Sequence, residues 1–244
     1  MCRMLIAVGD ADIATIAEDF KRIAGDKNEK HENNIDKDFE HGDGWGVVYL
    51  ADDQLKMHKS IVPYYEDSDV EKIKNIKSPI YILHARKKSD GKGLVRMENV
   101  HPFRYDNYVF CHNGTVDESL SFEDKFTPQG ETDSERLFYY IISNINGEFN
   151  ENILVEKLKH VNDFSGMNSI LSDGTTSYVV NWYAKKPGYY TFKMLVKENF
   201  IIISSEILPS YNRENWIKTS NRDIIKLDTF RREYSILNGG RDKQ

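Results

Sequence analysis

The residue with the most chemical promise is Cys2, near the start of a 244-residue chain whose only other cysteine is Cys111. Removal of Met1 would put a thiol and a free α-amino group on one Cα, a nucleophile together with its own general base. The thiolate is the attacking species, and an ordinary thiol with a pKa of ~8.5 is only a few per cent ionised at neutral pH. An α-amine titrates near ~7.7–8.0, so much of its proton-accepting form is present there. The small side chain after Met1 suits clipping. The plainer alternative is an inert thiol on a frayed terminus, and position alone favours it.

Four further motifs sit at strand ends or turns, where functional side chains are displayed. His41-Gly42-Asp43-Gly44-Trp45-Gly46 has three glycines in six residues, suited to a tight turn or to close approach of a ligand. It reads equally as a structural turn with Trp45 in the core. Tyr81-Ile82-Leu83-His84-Ala85-Arg86 is an apolar strand ending in a guanidinium, which can grip a carboxylate through two parallel hydrogen bonds. Alternatively Arg86 belongs to a solvated face with Lys87 and Lys88, and His84 is a core residue. Tyr108-Val109-Phe110-Cys111-His112-Asn113-Gly114 runs a strand into Asn-Gly. The Asn side chain and Gly N–H can converge as an oxyanion hole, or Asn-Gly can serve as a hairpin turn. Cys111 reads as a buried strand thiol. Gly130-Glu131-Thr132-Asp133-Ser134-Glu135 opens a helix, where the macrodipole alone accounts for the acidic residues. The functional reading gives Asp133 a substrate ammonium. Each motif is weak by itself. Together they describe a site for an α-amino acid with a cleavable side-chain acyl group, and glutamine has that layout.

On these residues the chain resembles class II glutamine amidotransferase domains, the N-terminal-nucleophile group whose glutaminase starts with cysteine. The likeness runs from Met1-Cys2-Arg3 to Ser204-Ser205-Glu206 and is closest to small stand-alone members similar to the amidohydrolase of ergothioneine synthesis. It includes the GDGWG turn, Asn99-Val100-His101-Pro102-Phe103, His112-Asn113-Gly114, the Thr132-Asp133-Ser134-Glu135 helix start and the Asn168 to Gly174 hairpin. Larger relatives often follow the Arg with an aromatic residue and Ala-Thr, where this chain has Lys87-Lys88-Ser89. The resemblance implies Cys2 as nucleophile and Asn113 and Gly114 as oxyanion hole. It implies Arg86, Asp133, Ser89 and His112 as substrate-binding residues, with Ser89 in place of the Thr hydroxyl. The implied activity is hydrolysis of the glutamine side-chain amide through a cysteinyl thioester, with release of ammonia. Two alternatives stand beside it: a hydrolase of a γ-glutamyl amide without transfer, and a catalytically idle glutamine-binding regulatory module. The implied partners are glutamine or a γ-glutamyl small molecule, an ammonia-accepting synthase on another chain, and a second copy in a homo-oligomer.

The elements that must position these residues are readable from periodicity. Strands are expected at 4–8, 45–50, 55–62, 80–85, 108–112, 177–183, 190–197, 200–204 and 223–227, with another before Asp173-Gly174. Helices are expected at 10–23, 70–76, 132–145 and 153–161, the third opened by a Thr132/Glu135 capping box and stopped at Gly147. Residues 26–40 read as a mobile polar loop and 231–244 as a frayed charged tail. Many strands with few helices indicate an α+β fold with antiparallel sheets, and the resemblance implies a four-layer αββα sandwich in one domain spanning 1–244. Hydrophobic residues make up 39% and the net charge is −6, which suits a soluble core and argues against nucleic-acid or membrane partners. Two cysteines and no signal pattern point to the cytoplasm. No cofactor is required, and the seven histidines show no metal-ligand spacing.

Overall fold

The computed structural model describes residues 2–25, 27, 29–32, 39–88, 94–145 and 149–240. The first half of the chain runs β1 (Arg3–Gly9), α1 (Ile13–Ala24), β2 (Trp45–Ala51), β3 (Gln54–Ser60), α2 (Val70–Ile73), β4 (Ile80–Ala85), β5 (Phe103–Tyr105) and β6 (Tyr108–Val116). The second half runs α3 (Asp133–Ile142), α4 (Glu151–Lys159), β7 (Phe164–Ser172), β8 (Thr176–Asn181), α5 (Pro187–Tyr190), β9 (Lys193–Val196), β10 (Phe200–Ser204), β11 (Ile217–Lys218), β12 (Asp223–Asp228) and β13 (Glu233–Asn238). One sheet has the order β11-β9-β10-β1-β4-β2-β3, the other β13-β12-β8-β7-β6-β5. The strand pairings are antiparallel.

Strand alternation sets the layers. Met4, Ile6 and Val8 of β1 meet Val109, Cys111, Ile170 and Val179 between the sheets. Leu5 and Ala7, one residue out of phase, pack on Ile16, Phe20 and Ile23 of α1. On β6, Phe110 faces α3 and α4, where it joins Leu137, Phe138, Ile141 and Leu154. The result is the expected helix–sheet–sheet–helix sandwich. The longer helices each offer one apolar stripe, and the central strands of each sheet are buried on both faces.

Local chemistry explains most boundaries. Asp12 caps α1 by accepting from Ala14 N–H and Thr15 N–H, and Gly25 ends it. Asp52 and Asp53 both adopt left-handed φ (52° and 54°), as the tight β2–β3 hairpin requires. Thr132 caps α3 through Glu135 N–H. The Glu135 carboxylate does not close a capping box; it accepts from Gln129 N–H and Gly130 N–H instead. Gly147, read as the helix stop, lies outside the described residues.

Three expectations change. Asn113-Gly114 is not a turn: β6 continues through it, paired with Asn168 and Met167 of β7. Gly114 has φ +150°, and a Cβ there would collide with the Gly166 carbonyl, so the glycine serves close strand approach. The tail is ordered over Glu233–Asn238, because β13 pairs with β12 along six residues. The polar segment 26–40 is anchored where it is described. Glu32 accepts from Gly188 N–H and Tyr189 N–H, His31 and Phe39 are buried, and Glu29 meets Lys193 at 3.2 Å.

Candidate active site

The interior between the sheets is apolar along most of its length and polar at one end. Cys2, His84, His101, Asn113 and Asn168 gather there, each at most 6% exposed. Cys2 N–H donates to Asn113 Oδ1 at 2.7 Å. The Tyr189 hydroxyl donates to the Cys2 carbonyl at 2.9 Å and lies 3.4 Å from the same Asn113 oxygen. With Oδ1 turned to the Cys2 N–H, the Asn113 Nδ2 donor is directed away from the Cys2 nitrogen. The Cys2 sulfur lies 3.9 Å from the Lys87 carbonyl, beside the segment that carries Arg86. Burial alone would push the thiol pKa up. The positive amino terminus and His84 outweigh burial and bring it down to about 6.

Arg86 is held by the glycine-rich turn. Its N–H donates to the Gly44 carbonyl (2.8 Å), and its carbonyl accepts from Asp43 N–H (2.9 Å). Asp43 also accepts from Lys88 N–H at 2.9 Å. Gly44 has φ +98°, and a Cβ there would stand 2.7 Å from Val100 Cγ2 and 2.8 Å from the Ser60 carbonyl, so the turn admits no side chain. The buried guanidinium reaches the Leu94 carbonyl at 3.4 Å. Asn99 donates to the same carbonyl at 3.0 Å and accepts from Glu131 N–H at 3.1 Å. It thereby ties the Arg86 side of the site to the approach of α3.

Asp133, the first residue of α3, accepts from Val116 N–H at 2.8 Å. Burial pushes the Tyr190 phenol up to about 12, and the charges of Cys2 and Asp133 add to that rise. Ser89 lies outside the described residues. His112 does not stand with the others. Its Nδ1 lies 2.8 Å from the Ser134 hydroxyl and its Nε2 3.0 Å from the Gly166 carbonyl. It alternates with Asn113 on β6 and faces the helical layer. The substrate-binding expectation for His112 is therefore replaced by a structural one: it clamps α3 to β7.

Similarity to known proteins decides the family. The model of class-II glutamine amidotransferases matches residues 31–185. The chain belongs to this family. A protein of Methanocaldococcus jannaschii is 30% identical to this amidotransferase over 207 residues, covering 75% of this chain and 56% of that protein. The chain thus spans little more than half the length of that relative. YafJ of Escherichia coli is 25% identical over 194 residues, 70% of this chain and 74% of YafJ. Among solved structures, a class-II domain protein from Silicibacter pomeroyi aligns with TM-score 0.62 at 14% identity over 97% of this chain and 99% of its own. The glutamine phosphoribosylpyrophosphate amidotransferase of Bacillus subtilis aligns with TM-score 0.67 at 13% identity over 99% of this chain and 50% of its own. These structures share the fold.

Motif reading includes Arg3, Glu206 and Asn168 without giving them a role, and it does not reach His31, Tyr189 or Tyr190. Arg3, fully buried, pairs with Glu206 and touches His31 Nε2 at 2.7 Å. The arginine donates, so that nitrogen of His31 carries the lone pair and the ring is neutral. Burial and Arg3 push its pKa down to about 3. The Arg3 guanidinium also lies 4.6 Å from the Tyr189 ring centre. Tyr189 and Tyr190 follow a Pro-Gly pair in a four-residue helix, too short for periodicity to register. Asn168 Nδ2 donates to the Tyr190 carbonyl at 2.6 Å and its Oδ1 accepts from Trp182 N–H at 3.0 Å, so it holds that helix against β7.

Proposed function

We propose that the chain hydrolyses the side-chain amide of glutamine through a thioester on Cys2 and releases ammonia. The observation that supports this best is the 2.7 Å contact between the Cys2 nitrogen and Asn113 Oδ1. Removal of Met1 turns that nitrogen into an amine beside the sulfur, with the Asn113 donor near the nucleophile. In this reading the amine accepts the thiol proton and the thiolate attacks the amide carbon. Asn113 Nδ2 and Gly114 N–H hold the oxyanion, and the proton returns to the departing ammonia. Water then cleaves the γ-glutamyl thioester. Arg86 takes the substrate α-carboxylate and Asp133 its α-ammonium.

Ammonia release from glutamine is the test, on protein whose loss of Met1 is established by intact mass. Cys2→Ala should abolish turnover while leaving the circular dichroism spectrum and urea midpoint near those of the parent. Undiminished turnover in that variant would overturn the mechanism. Faster turnover on a γ-glutamyl amide than on glutamine would shift the substrate and keep the chemistry. Ammonia passed to an acceptor only when a synthase is added would mark the transferase form.

A further inference from the structure

Removal of Met1 makes Cys2 a terminal residue, and the sheet does not hold it. β1 begins at Arg3, and its pairing with β4 starts there, opposite Ala85. Amine and side chain both sit on the Cys2 Cα, so rotation about the Cα–C bond swings sulfur and nitrogen together. Two contacts from outside the sheet oppose that rotation. On the nitrogen side, Asn113 Oδ1 stands at 2.7 Å. On the carbonyl side, the Tyr189 hydroxyl donates at 2.9 Å. A hydroxyl has one hydrogen to give, and here the shorter contact takes it. The phenol oxygen also lies 3.4 Å from Asn113 Oδ1, so the two anchors are neighbours. With nitrogen and carbonyl oxygen both held, the rotation is fixed.

Tyr189 is itself held from several directions. α5 has four residues, too few for a helix to be stable alone. The Glu32 carboxylate grips its backbone, accepting from Gly188 N–H at 2.8 Å and Tyr189 N–H at 3.0 Å. A Cβ at Gly188 would stand 2.9 Å from that carboxylate, so the glycine allows the close approach. The ring has the Arg3 guanidinium 4.6 Å from its centre. His31 and Tyr190 meet it edge-on at 4.7 and 5.0 Å between centroids. Arg3 is fixed in turn by its ion pair with Glu206. Burial pushes the Tyr189 phenol well above its ordinary value, so the hydroxyl keeps its hydrogen. A tyrosine that served the core alone would need only these ring contacts, and its hydroxyl would have no call to reach the nucleophile's carbonyl.

We propose that Tyr189 is a positioning residue: its hydroxyl sets the Cα–C rotation of Cys2 and so aims the sulfur and the amine at the substrate amide. It acts through Cys2. Arg86, just past β4, and Asp133, at the start of α3, hold the substrate ends in the proposed function and are attached elsewhere in the fold. Loss of the hydroxyl therefore falls on the chemical step and spares substrate binding. The consequence for turnover rests on the glutaminase reading; the clamp on Cys2 does not.

The experiment is steady-state ammonia release from glutamine by Tyr189→Phe, on protein shown by intact mass to lack Met1. The ring contacts persist in this variant and only the hydroxyl is lost. kcat should fall roughly tenfold, within the ~10²-fold that a misplacement of about 1 Å can cost, while KM stays within about twofold of the parent. A kcat within about twofold of the parent, or a loss carried by KM, overturns the proposal. Should that variant not fold, Glu32→Ala decides in its place. It removes an exposed carboxylate whose one described task is to hold α5. kcat should fall about threefold at unchanged KM, and an unchanged kcat overturns the proposal. The clamp is also read without glutamine. With cysteine labelled at its carbonyl carbon, the two cysteines give two carbon NMR signals, and Cys2→Ala identifies one of them. Tyr189→Phe should shift the Cys2 signal and leave that of Cys111 in place, and an unmoved Cys2 signal overturns the clamp. A shifted signal in a protein whose parent releases no ammonia would count against the glutaminase reading alone.

Discussion

Asn113 uses the two ends of one carboxamide for different purposes. Its oxygen accepts from the Cys2 nitrogen, and in the proposed mechanism its nitrogen donates to the oxyanion. Asn113→Ala should lower kcat for ammonia release by roughly 10²–10³, the usual cost of losing one such donor, with a smaller change in KM. A kcat within threefold of the parent would remove Asn113 from the oxyanion hole. Arg86→Lys keeps the charge and loses the two-pronged donor geometry. KM for glutamine should rise roughly 10–100-fold, the scale of one hydrogen bond to a charged group, and an unchanged KM would mean the carboxylate binds elsewhere. At this scale the sequence makes the residue types legible, because a thiol next to the terminus and an Arg at a strand end have few uses. Direction is harder. His112 and Asn113 are neighbours, yet only one faces the nucleophile, and the strand's extent through Gly114 has to be known before the alternation can be counted.

The glycine-rich turn and the HNG strand show what elements contribute that single residues cannot. The turn holds the backbone of Arg86 from both sides, so its glycines act on substrate binding without touching substrate. Gly44→Ala forces a side chain against Val100 and the Ser60 carbonyl. KM for glutamine should rise more than kcat falls, and steady-state kinetics showing the reverse would place the turn in the chemical step. Gly114→Ala meets the Gly166 carbonyl at a φ that other residues avoid. It should destabilise the fold by at least about 2 kcal/mol in urea titration. Elements with strong periodicity, such as α1, α3, β4 and β10, are legible to within a few residues. Asn-Gly reads as a hairpin because the dipeptide favours turns locally, and only the neighbouring strand β7 makes an extended path better. β13 is hidden because Tyr234 and Ile236 are exposed on an edge strand, and the segment looks like a charged tail. The segment 26–40 reads as solvent because its charges meet partners more than 150 residues away, such as Glu32 with Gly188 and Glu29 with Ile207.

At the scale of the whole molecule, the sandwich buries imidazoles as well as hydrocarbon. The layer count is legible from strands and helices, but this consequence is not, since scattered histidines converge only after the sheets close. Five of the seven histidines are buried. Burial pushes His41 and His101 well below 6.5 and lowers His112 as well; burial with Arg3 takes His31 to about 3. In the unfolded chain each of these rings takes a proton near pH 6.5, whereas in the folded chain it does so only at a lower pH. Between those limits unfolding absorbs protons, so the stability these residues contribute is complete above pH 6.5 and is lost as the pH falls. Each contributes a slope approaching ~1.4 kcal/mol per pH unit. Glu206, raised by burial, acts in the opposite sense. Its contribution is complete below pH 4.5 and fades as the pH rises through its folded value, so this one carboxyl offsets only part of the loss from four rings. Urea midpoints measured at pH 7.5, 6.5 and 5.5 should therefore fall, with the steeper drop in the second interval and an unchanged m-value. A flat midpoint across that range would mean that the buried rings are already protonated in the native state, and the neutral histidine cluster around Cys2 would have to be abandoned.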